Sequence, residues 1–274
     1  MKRFIFSICC GLLLAALFSC SDSGDEGKAL SEVFSKKVTV FGVSIYATST
    51  VGDAYVLHAA KVLAKYLDSD DDGTPNSQAV VDKLVANEVF IIIAKDEDES
   101  ESVLEELGSN GDRGQELREE EIVTSNGADG RFDASLEEIL HLITQRGYSE
   151  VFDDLKEEHG SALASAMDTA RGGYFTSVPS SYPDGAWYTY DDDTCDYKCM
   201  ITEYFYWGLT SRLGAQDFSG RLEAIQEEWS LNTASLVQSG DTALHTILTN
   251  SDYSLPTVLP DGDYNSTTFT IAAP

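Results

Sequence analysis

Apolar residues alternate with polar residues near the start of the chain and recur at helical spacing further on. Residues 37–46 alternate and are rich in β-branched side chains, which predicts a strand or a hairpin. Residues 53–67 carry apolar side chains three and four positions apart, and they predict an amphipathic helix. A second helix is expected over residues 77–86, and the unbroken apolar run 89–94 is typical of a buried central strand.

The later part of the chain predicts mainly helices. The charge-rich residues 96–121 predict a surface excursion with one short helix at 101–107, and residues 122–123 predict an edge strand. Further helices are expected at 133–147, 148–170 (one helix or a pair), 200–213, 218–229 and 233–248, with an aromatic loop at 172–194 and an extended tail at 253–274. Strands early and helices late predict one α+β domain over residues 37–274, in which a small N-terminal sheet precedes a mainly helical region.

The first residues have the layout of an export signal. Lys2 and Arg3 precede the apolar run 4–17, which is too short to span a bilayer as a helix. The sequence Leu17-Phe18-Ser19-Cys20 resembles a bacterial lipobox, which implies removal of residues 1–19 and lipidation of Cys20. Ordinary signal cleavage is the alternative. Residues 20–36 predict an acidic flexible tether. The resemblance implies a protein anchored to outer-membrane or cell-surface lipid, either periplasmic or surface-exposed.

The net negative charge of the chain limits the classes of molecule that it can bind. The chain has 18 basic and 47 acidic residues, a formal charge of −29, which becomes −31 if residues 1–19 are removed with Lys2 and Arg3. This field would repel nucleic acid, so no nucleic-acid partner is expected, whereas divalent cations and cationic partners would be attracted. A hydrophobic content of 42% is consistent with a folded core.

Two cysteines remain once residues 1–19 and the lipidated Cys20 are set aside. They are Cys195 and Cys199, which lie four positions apart. In an exported protein two remaining cysteines predict a disulfide, because a zinc site needs more ligands than this pair supplies nearby.

The acidic turn at residues 68–76 predicts a cation site. Its oxygen-bearing side chains at suitable spacing are Asp68, Asp70, Asp72 and Asn76. Ca²⁺ takes six to eight oxygen ligands, and a tightly wound loop is needed to bring carboxylates this close together. Gly73 permits the sharp turn that such a loop requires.

This turn resembles the calcium loops of thrombospondin type 3 repeats and the first half of an EF-hand. The twelfth EF-hand position falls on Ala79, which has no ligand atom, so Asp82 is the candidate that would complete the coordination. We expect a structural Ca²⁺ that joins the helices at 53–67 and 77–86. A solvated turn without an ion is the alternative.

A second chemically suggestive pattern lies in residues 136–144. Glu137 and His141 are one helical turn apart and therefore share a face, and Glu138 lies beside them. The pattern resembles the His-Glu-x-x-His helix of zincin metallopeptidases, with the first histidine replaced by Glu137. The resemblance implies a zincin-like fold in which Glu137 and His141 bind Zn²⁺ and Glu138 is the general base for peptide hydrolysis.

The same resemblance implies two roles for a later helix. One zincin branch takes its third ligand from a glutamate on such a helix, and Glu203 is the candidate here. Tyr206, one turn further on, would donate a hydrogen bond to a developing oxyanion.

The glutamate at position 137 leaves several interpretations open. Two carboxylates and one imidazole would offset the charge of Zn²⁺ and weaken its acidifying effect on bound water. The helix therefore fits an active variant peptidase acting on peptides or proteins, a descendant with altered or lost metal binding, or an ordinary amphipathic helix. From another class, the alternatives are a non-catalytic surface binding or adhesion lipoprotein stabilised by calcium, and a structural envelope lipoprotein.

Overall fold

The computed structural model describes residues 27–274, so the predicted signal peptide and Cys20 lie outside the described residues. The strands are β1 (Lys36–Val40), β2 (Val43–Ala47), β3 (Phe90–Ala94) and β4 (Gly114–Arg118). The helices are α1 (Leu30–Val33), α2 (Asp53–Leu67), α3 (Gln78–Ala86), α4 (Glu97–Leu107), α5 (Ser135–Ile143), α6 (Ser149–Val151), α7 (Ala162–Ala170), α8 (Tyr197–Leu213), α9 (Arg221–Ile225), α10 (Ala234–Gly240) and α11 (Thr242–Leu248).

The four strands form one mixed sheet in the order β1-β2-β3-β4. β1 and β2 are an antiparallel hairpin whose turn residues Phe41 and Gly42 have φ values of 48° and 89°, as a tight type I′ turn requires. β2, β3 and β4 are parallel, and α2 with α3, and then α4, make the crossover connections. The prediction of an α+β protein with an N-terminal sheet followed by helices is confirmed.

The sheet separates a large core from a small one. Alternate residues of β3 face opposite sides, so Ile91 and Ile93 join the large core with α2, α3 and α5. Phe90 and Ile92 join the small core, which α1 and α4 cover. All five residues of β3 are buried, which agrees with its unbroken apolar sequence.

The prediction for residues 96–123 differs from the structure in two respects. The edge strand is β4, which pairs with β3, whereas Ile122 and Val123 follow a short turn and form no strand. Leu117 is the one fully buried residue of β4, and its other side chains are half-buried, so the strand lacks an apolar pattern. α4 also begins earlier than predicted, because Asp96 caps it by accepting a hydrogen bond from the Glu99 backbone N–H.

Part of the predicted tether belongs to the folded domain. The Lys28 backbone N–H donates to the Glu106 carbonyl at 2.8 Å, and α1 packs against α4. Phe34 is only 3% exposed, so the chain is anchored to the domain from Lys28 onward even though several of these side chains remain exposed. Within residues 27–274, no helix combines the length and the apolar character that crossing a bilayer requires.

Candidate metal centre between α5 and α8

Two buried helices carry the candidate ligands. α5 packs against α2, β4 and α8, and its apolar face includes Leu136, Ile139 and Leu140, which are fully buried. α8 is buried around most of its circumference and contacts α5, α7, α10 and α11. These contacts fix the side of α8 that faces α5, and Glu203 lies on that side.

The start of α8 is held by two local features. The Asp196 side chain caps the helix by accepting a hydrogen bond from the Cys199 backbone N–H at 2.9 Å. The sulfurs of Cys195 and Cys199 lie at disulfide-bonding distance, with Cα atoms 5.4 Å apart. The helix therefore begins at a braced turn, two helical turns before Glu203.

The structure brings the predicted ligands together. His141 Nε2 lies 3.6 Å from Glu203 Oε2, although 62 positions separate the two residues in the chain. Glu137, Glu138 and His141 each offer a ligand atom within 4.8 Å of the others. Ligands of one zinc ion, each about 2.0–2.2 Å from it, lie within about 4 Å of each other. The separation of His141 and Glu203 meets that condition.

Three buried polar atoms at this point lack a hydrogen-bond partner within the described part of the chain. They are Glu137 Oε1, His141 Nε2 and Glu203 Oε2. Their residues are 8%, 4% and 2% exposed, so bulk solvent does not reach them. An unpaired buried polar group costs about 1–3 kcal/mol, and more if it is charged. A cation between His141 Nε2 and Glu203 Oε2 would satisfy both atoms, and Glu137 offers a further oxygen within 4.8 Å of a His141 nitrogen, so these residues fit a metal ion.

Electrostatics at the centre reflect an excess of carboxylates. Burial raises the pKa of Glu137 well above its ordinary value, and the charges of Glu203 and Glu138 raise it further. Burial alone would lower the pKa of His141, but the charge of Glu203 and contacts with both glutamates outweigh it, so the pKa of His141 is raised. In the metal-free protein the cluster therefore favours bound protons.

Glu138 contacts the other nitrogen of the imidazole. Its Oε2 lies 3.6 Å from His141 Nδ1, whereas Glu203 faces Nε2. The Gln115 side-chain amide, on β4, donates a hydrogen bond of 2.7 Å to the same Oε2. The base implied by the zincin resemblance would need to lie beside a water held on the Nε2 side. The measured contacts of Glu138 Oε2 are on the Nδ1 side.

Tyr206 packs directly against the cluster. Its ring lies edge-on to the His141 ring, with centroids 5.5 Å apart, and the residue is 1% exposed. The Gln216 side-chain amide donates to its hydroxyl at 3.3 Å. Burial and the charge of Glu137 raise the pKa of Tyr206, so its hydroxyl keeps its proton. In this closed arrangement the hydroxyl lies beside Glu137 rather than at an open cleft.

Sequence reasoning missed two carboxylates near the centre. Glu157 is 9% exposed, accepts a hydrogen bond from Thr202 Oγ1 at 2.5 Å and lies 3.3 Å from Lys198 Nζ, and burial raises its pKa. Burial and the charge of Glu203 raise the pKa of Glu228 to about 7. Neither glutamate belongs to a recognisable motif, so only the folded chain shows that they lie near Glu203.

The acidic turn after α2 forms the second cluster. Asp68, Asp70 and Asp72 bring carboxylate oxygens within 4.8 Å of one another. Asp68 is fully buried, and its Oδ2 accepts hydrogen bonds from the Gly73 N–H and the Tyr264 hydroxyl. Burial raises the pKa of Asp68, but these hydrogen bonds outweigh it and lower the pKa overall. Its Oδ1 is buried and finds no hydrogen-bond partner in the described structure.

The other two predicted calcium ligands are placed differently. The Asn76 side-chain oxygen accepts a hydrogen bond from the Ser69 N–H at 3.0 Å, and its amide donates to the Tyr66 carbonyl. Asn76 therefore holds the loop closed through its own hydrogen bonds. Asp82, on α3, is exposed and accepts from Gln78, and it is not part of the three-aspartate cluster.

The aromatic loop at 172–194 covers the core over much of its length. Tyr188 is fully buried and donates to the Met200 carbonyl, and the Trp187 ring nitrogen donates to Asp241. Tyr190 is 3% exposed, whereas Tyr174 is 51% exposed. Tyr188 and Tyr190 therefore belong to the core, whereas Tyr174 remains at the surface.

The candidate ligands Glu137, His141 and Glu203 are all buried. Two surface pockets are lined by other residues, one around Leu30 and Arg113 and the other around Phe41 and Tyr264. Comparisons with protein-family models, with curated proteins and with solved structures found no match to this chain.

Proposed function

We propose that this chain is an exported, lipid-anchored metalloprotein that resembles zinc metallopeptidases and whose catalysis is altered or lost. Zn²⁺ would be held by Glu137, His141 and Glu203, and Cys20 would carry the lipid. The observation that supports the proposal most directly is the 3.6 Å approach of His141 Nε2 to Glu203 Oε2, with both atoms buried and without hydrogen-bond partners among the described residues.

The chemistry of the centre favours metal binding over rapid hydrolysis. A bound Zn²⁺ can polarise a carbonyl group or acidify a water molecule. Here two carboxylate ligands would neutralise the charge of the ion and weaken both effects. The candidate ligands are at most 8% exposed, so a peptide cannot contact them directly in this conformation. The function supported best is therefore retention of a metal ion in a closed centre.

Metal analysis of the purified protein tests this proposal. After metal removal and reconstitution with Zn²⁺, we expect close to one zinc ion per chain, and His141→Ala should lose it. His159→Ala is the matched control, because His159 is exposed and packs against Tyr174. Equal zinc content in the protein and the His141→Ala variant would contradict the proposed ligand set.

A hydrolysis assay then distinguishes altered catalysis from lost catalysis. If the zinc-loaded protein cleaves an unstructured protein substrate, Glu138→Gln distinguishes a base from a residue with another role. A base is required for turnover but not for zinc binding. Complete loss of cleavage with zinc still fully bound would support the base, and unchanged cleavage would exclude it.

We also propose that the loop of Asp68, Asp70 and Asp72 holds a structural Ca²⁺. The buried, unpartnered Oδ1 of Asp68 supports this, because a carboxylate oxygen without a donor is the kind of ligand that Ca²⁺ selects. Tyr264 bonds the other oxygen of Asp68, so the ion would help to fasten the C-terminal tail to α2.

A non-catalytic surface binding or adhesion lipoprotein, with a peptide or protein ligand, is the second candidate. The closed metal centre favours it, since a structural metal needs no access for substrate. Under this candidate the protein would be fully loaded with zinc and would show no cleavage of any peptide or protein substrate, with or without Glu138.

A further inference from the structure

We infer that Glu138 and Gln115 form a positioning pair for His141, in which Glu138 holds Nδ1 and thereby presents Nε2 to the metal. This inference rests on the proposed metal centre and assigns Glu138 a role other than general base. Glu138 would act on the ion only through His141.

The geometry of the imidazole supports this assignment. Nδ1 and Nε2 lie on different edges of the ring, and a neutral imidazole donates a proton from one nitrogen and offers a lone pair from the other. Glu138 Oε2 is 3.6 Å from Nδ1, and Glu203 Oε2 is 3.6 Å from Nε2. A carboxylate at Nδ1 stabilises the tautomer with its proton there, which leaves the Nε2 lone pair for the metal.

Gln115 keeps the Glu138 carboxylate in place. It lies on β4, where it pairs in register with Ile91 of the fully buried strand β3. Its side-chain amide donates to Glu138 Oε2 at 2.7 Å, so a rigid sheet holds the carboxylate against α5. The 3.6 Å separation from Nδ1 is longer than a hydrogen bond, so at this distance the carboxylate favours a proton on Nδ1 through its charge.

Burial distinguishes Glu138 from the ligands. Its side chain is 17% exposed, compared with 3% for the side chain of Glu203, and its Oε2 already has a donor. The candidate ligand atoms of His141 and Glu203 are fully buried and lack partners within residues 27–274. Glu138 is thus the partly exposed, hydrogen-bonded carboxylate that supports a ligand, and the three unpartnered atoms are those that meet the ion.

The test measures zinc affinity instead of activity. The dissociation constant is determined by competition with a chromophoric chelator for the full chain and for Glu138→Ala, Glu138→Gln and Gln115→Ala. Loss of such a supporting partner weakens metal binding by about 10–100-fold. We expect Glu138→Ala to show the full effect, and Glu138→Gln a smaller one because its amide oxygen can still accept from Nδ1. Gln115→Ala should shift affinity in the same direction, and the Co²⁺-substituted variants should show altered absorption spectra.

Glu116→Gln is the matched control. It removes the same charge from the neighbouring position of β4, where Glu116 pairs in register with Ile92 of the small core, so its side chain lies on the face of the sheet opposite Gln115. Its zinc affinity and Co²⁺ spectrum should equal those of the unaltered protein.

Several outcomes would overturn the inference. If Glu138→Ala and Gln115→Ala bind zinc within twofold of the unaltered protein, Glu138 does not position His141, although the metal centre stands. If the unaltered protein binds no zinc, the proposed centre fails together with the inference. Should Glu138→Ala fail to fold, Gln115→Ala gives the same comparison, since it leaves all the proposed ligands and Glu138 in the chain.

Discussion

Replacement of Asp70 by asparagine is the sharpest test of the calcium loop. Asp70 is exposed and its side chain makes only a long contact with the Asp72 N–H, so the substitution removes a charge without opening a cavity. Its carboxylate lies within 4.8 Å of those of Asp68 and Asp72. The variant should therefore lose the response to Ca²⁺ and should gain stability when no Ca²⁺ is present.

The expected magnitude follows from charge and distance. At 4.8 Å, two unit charges repel by about 0.9 kcal/mol in water and about 3.5 kcal/mol at an effective dielectric constant of about 20. Because Asp68 is buried and the other two aspartates are exposed, each pair lies between these limits. Ca²⁺ at 100 times its dissociation constant would stabilise the folded protein by about 2.7 kcal/mol. For a chain of this length that raises Tm by about 5–11 °C.

Thermal unfolding in excess Ca²⁺ and in chelator provides the assay. The unaltered protein should unfold about 5–11 °C higher in Ca²⁺, and Asp70→Asn should show little difference between the two conditions. In chelator, Asp70→Asn should unfold at a higher temperature than the unaltered protein, because one repulsive charge is gone. Asp82→Asn is the control, since Asp82 is an exposed acid on α3 that lies outside the cluster.

Two results would refute this reasoning. An equal Tm of the unaltered protein in Ca²⁺ and in chelator would remove the calcium site. A loss of the Ca²⁺ response in Asp82→Asn as large as that in Asp70→Asn would mean that the ligands are not the three clustered aspartates.

Two further predictions concern the stability of the metal-free protein. Replacing Cys195 and Cys199 with serine should cost about 2 kcal/mol, because the disulfide closes a very short loop, and should lower Tm by about 4–8 °C. Reductant should lower the Tm of the unaltered protein to that of the variant, and an unchanged Tm would show that no disulfide forms. Burial raises the pKa of Glu228 from 4.5 to about 7, so the folded state holds this proton more tightly than the unfolded state. The stabilisation of the folded protein by this proton is fully present below pH 4.5 and is lost as the pH rises through 7. Glu228→Gln should therefore stabilise the metal-free protein by about 1–3 kcal/mol at pH 8 and not at pH 4. Replacing the exposed Glu227 with glutamine should show no such pH dependence. If Glu228→Gln stabilised the protein equally at both pH values, the raised pKa of Glu228 would not be the cause.

Local patterns predicted those elements whose structure is decided locally. The helix predicted at 53–67 is α2 with the same bounds, because its apolar spacing and its position between two turns both favour a helix. The apolar run predicted at 89–94 is β3. β4 could not be found in this way, because its half-buried polar residues show no alternation and its place in the sheet depends on hydrogen bonds to β3.

In the candidate centre, too, the sequence predicts the local contacts and misses those that depend on tertiary packing. Helical spacing alone places Glu137 and His141 on one face of α5. The approach of Glu203 depends on the packing of α8 against α5, so only the resemblance to zincins singled it out. Spacing cannot tell which imidazole nitrogen Glu138 faces, and that detail, with the hydrogen bond from Gln115, changes the role expected for Glu138.

The position of Glu203 bears on why the proposed centre would favour a cation. Glu203 is the one acidic residue of α8, and it lies among aromatic and aliphatic side chains on a helix that is buried around most of its circumference. Burying a carboxylate costs free energy unless it is paired with a positive charge. Here the neighbouring groups include a second buried acid, Glu137, whose negative charge repels that of Glu203. His141 can supply at most one positive charge for the two. A divalent ion among the three unpartnered atoms would balance the charge of both carboxylates and leave the imidazole neutral. The two negative charges that make this packing unfavourable without a metal would therefore make metal binding strong.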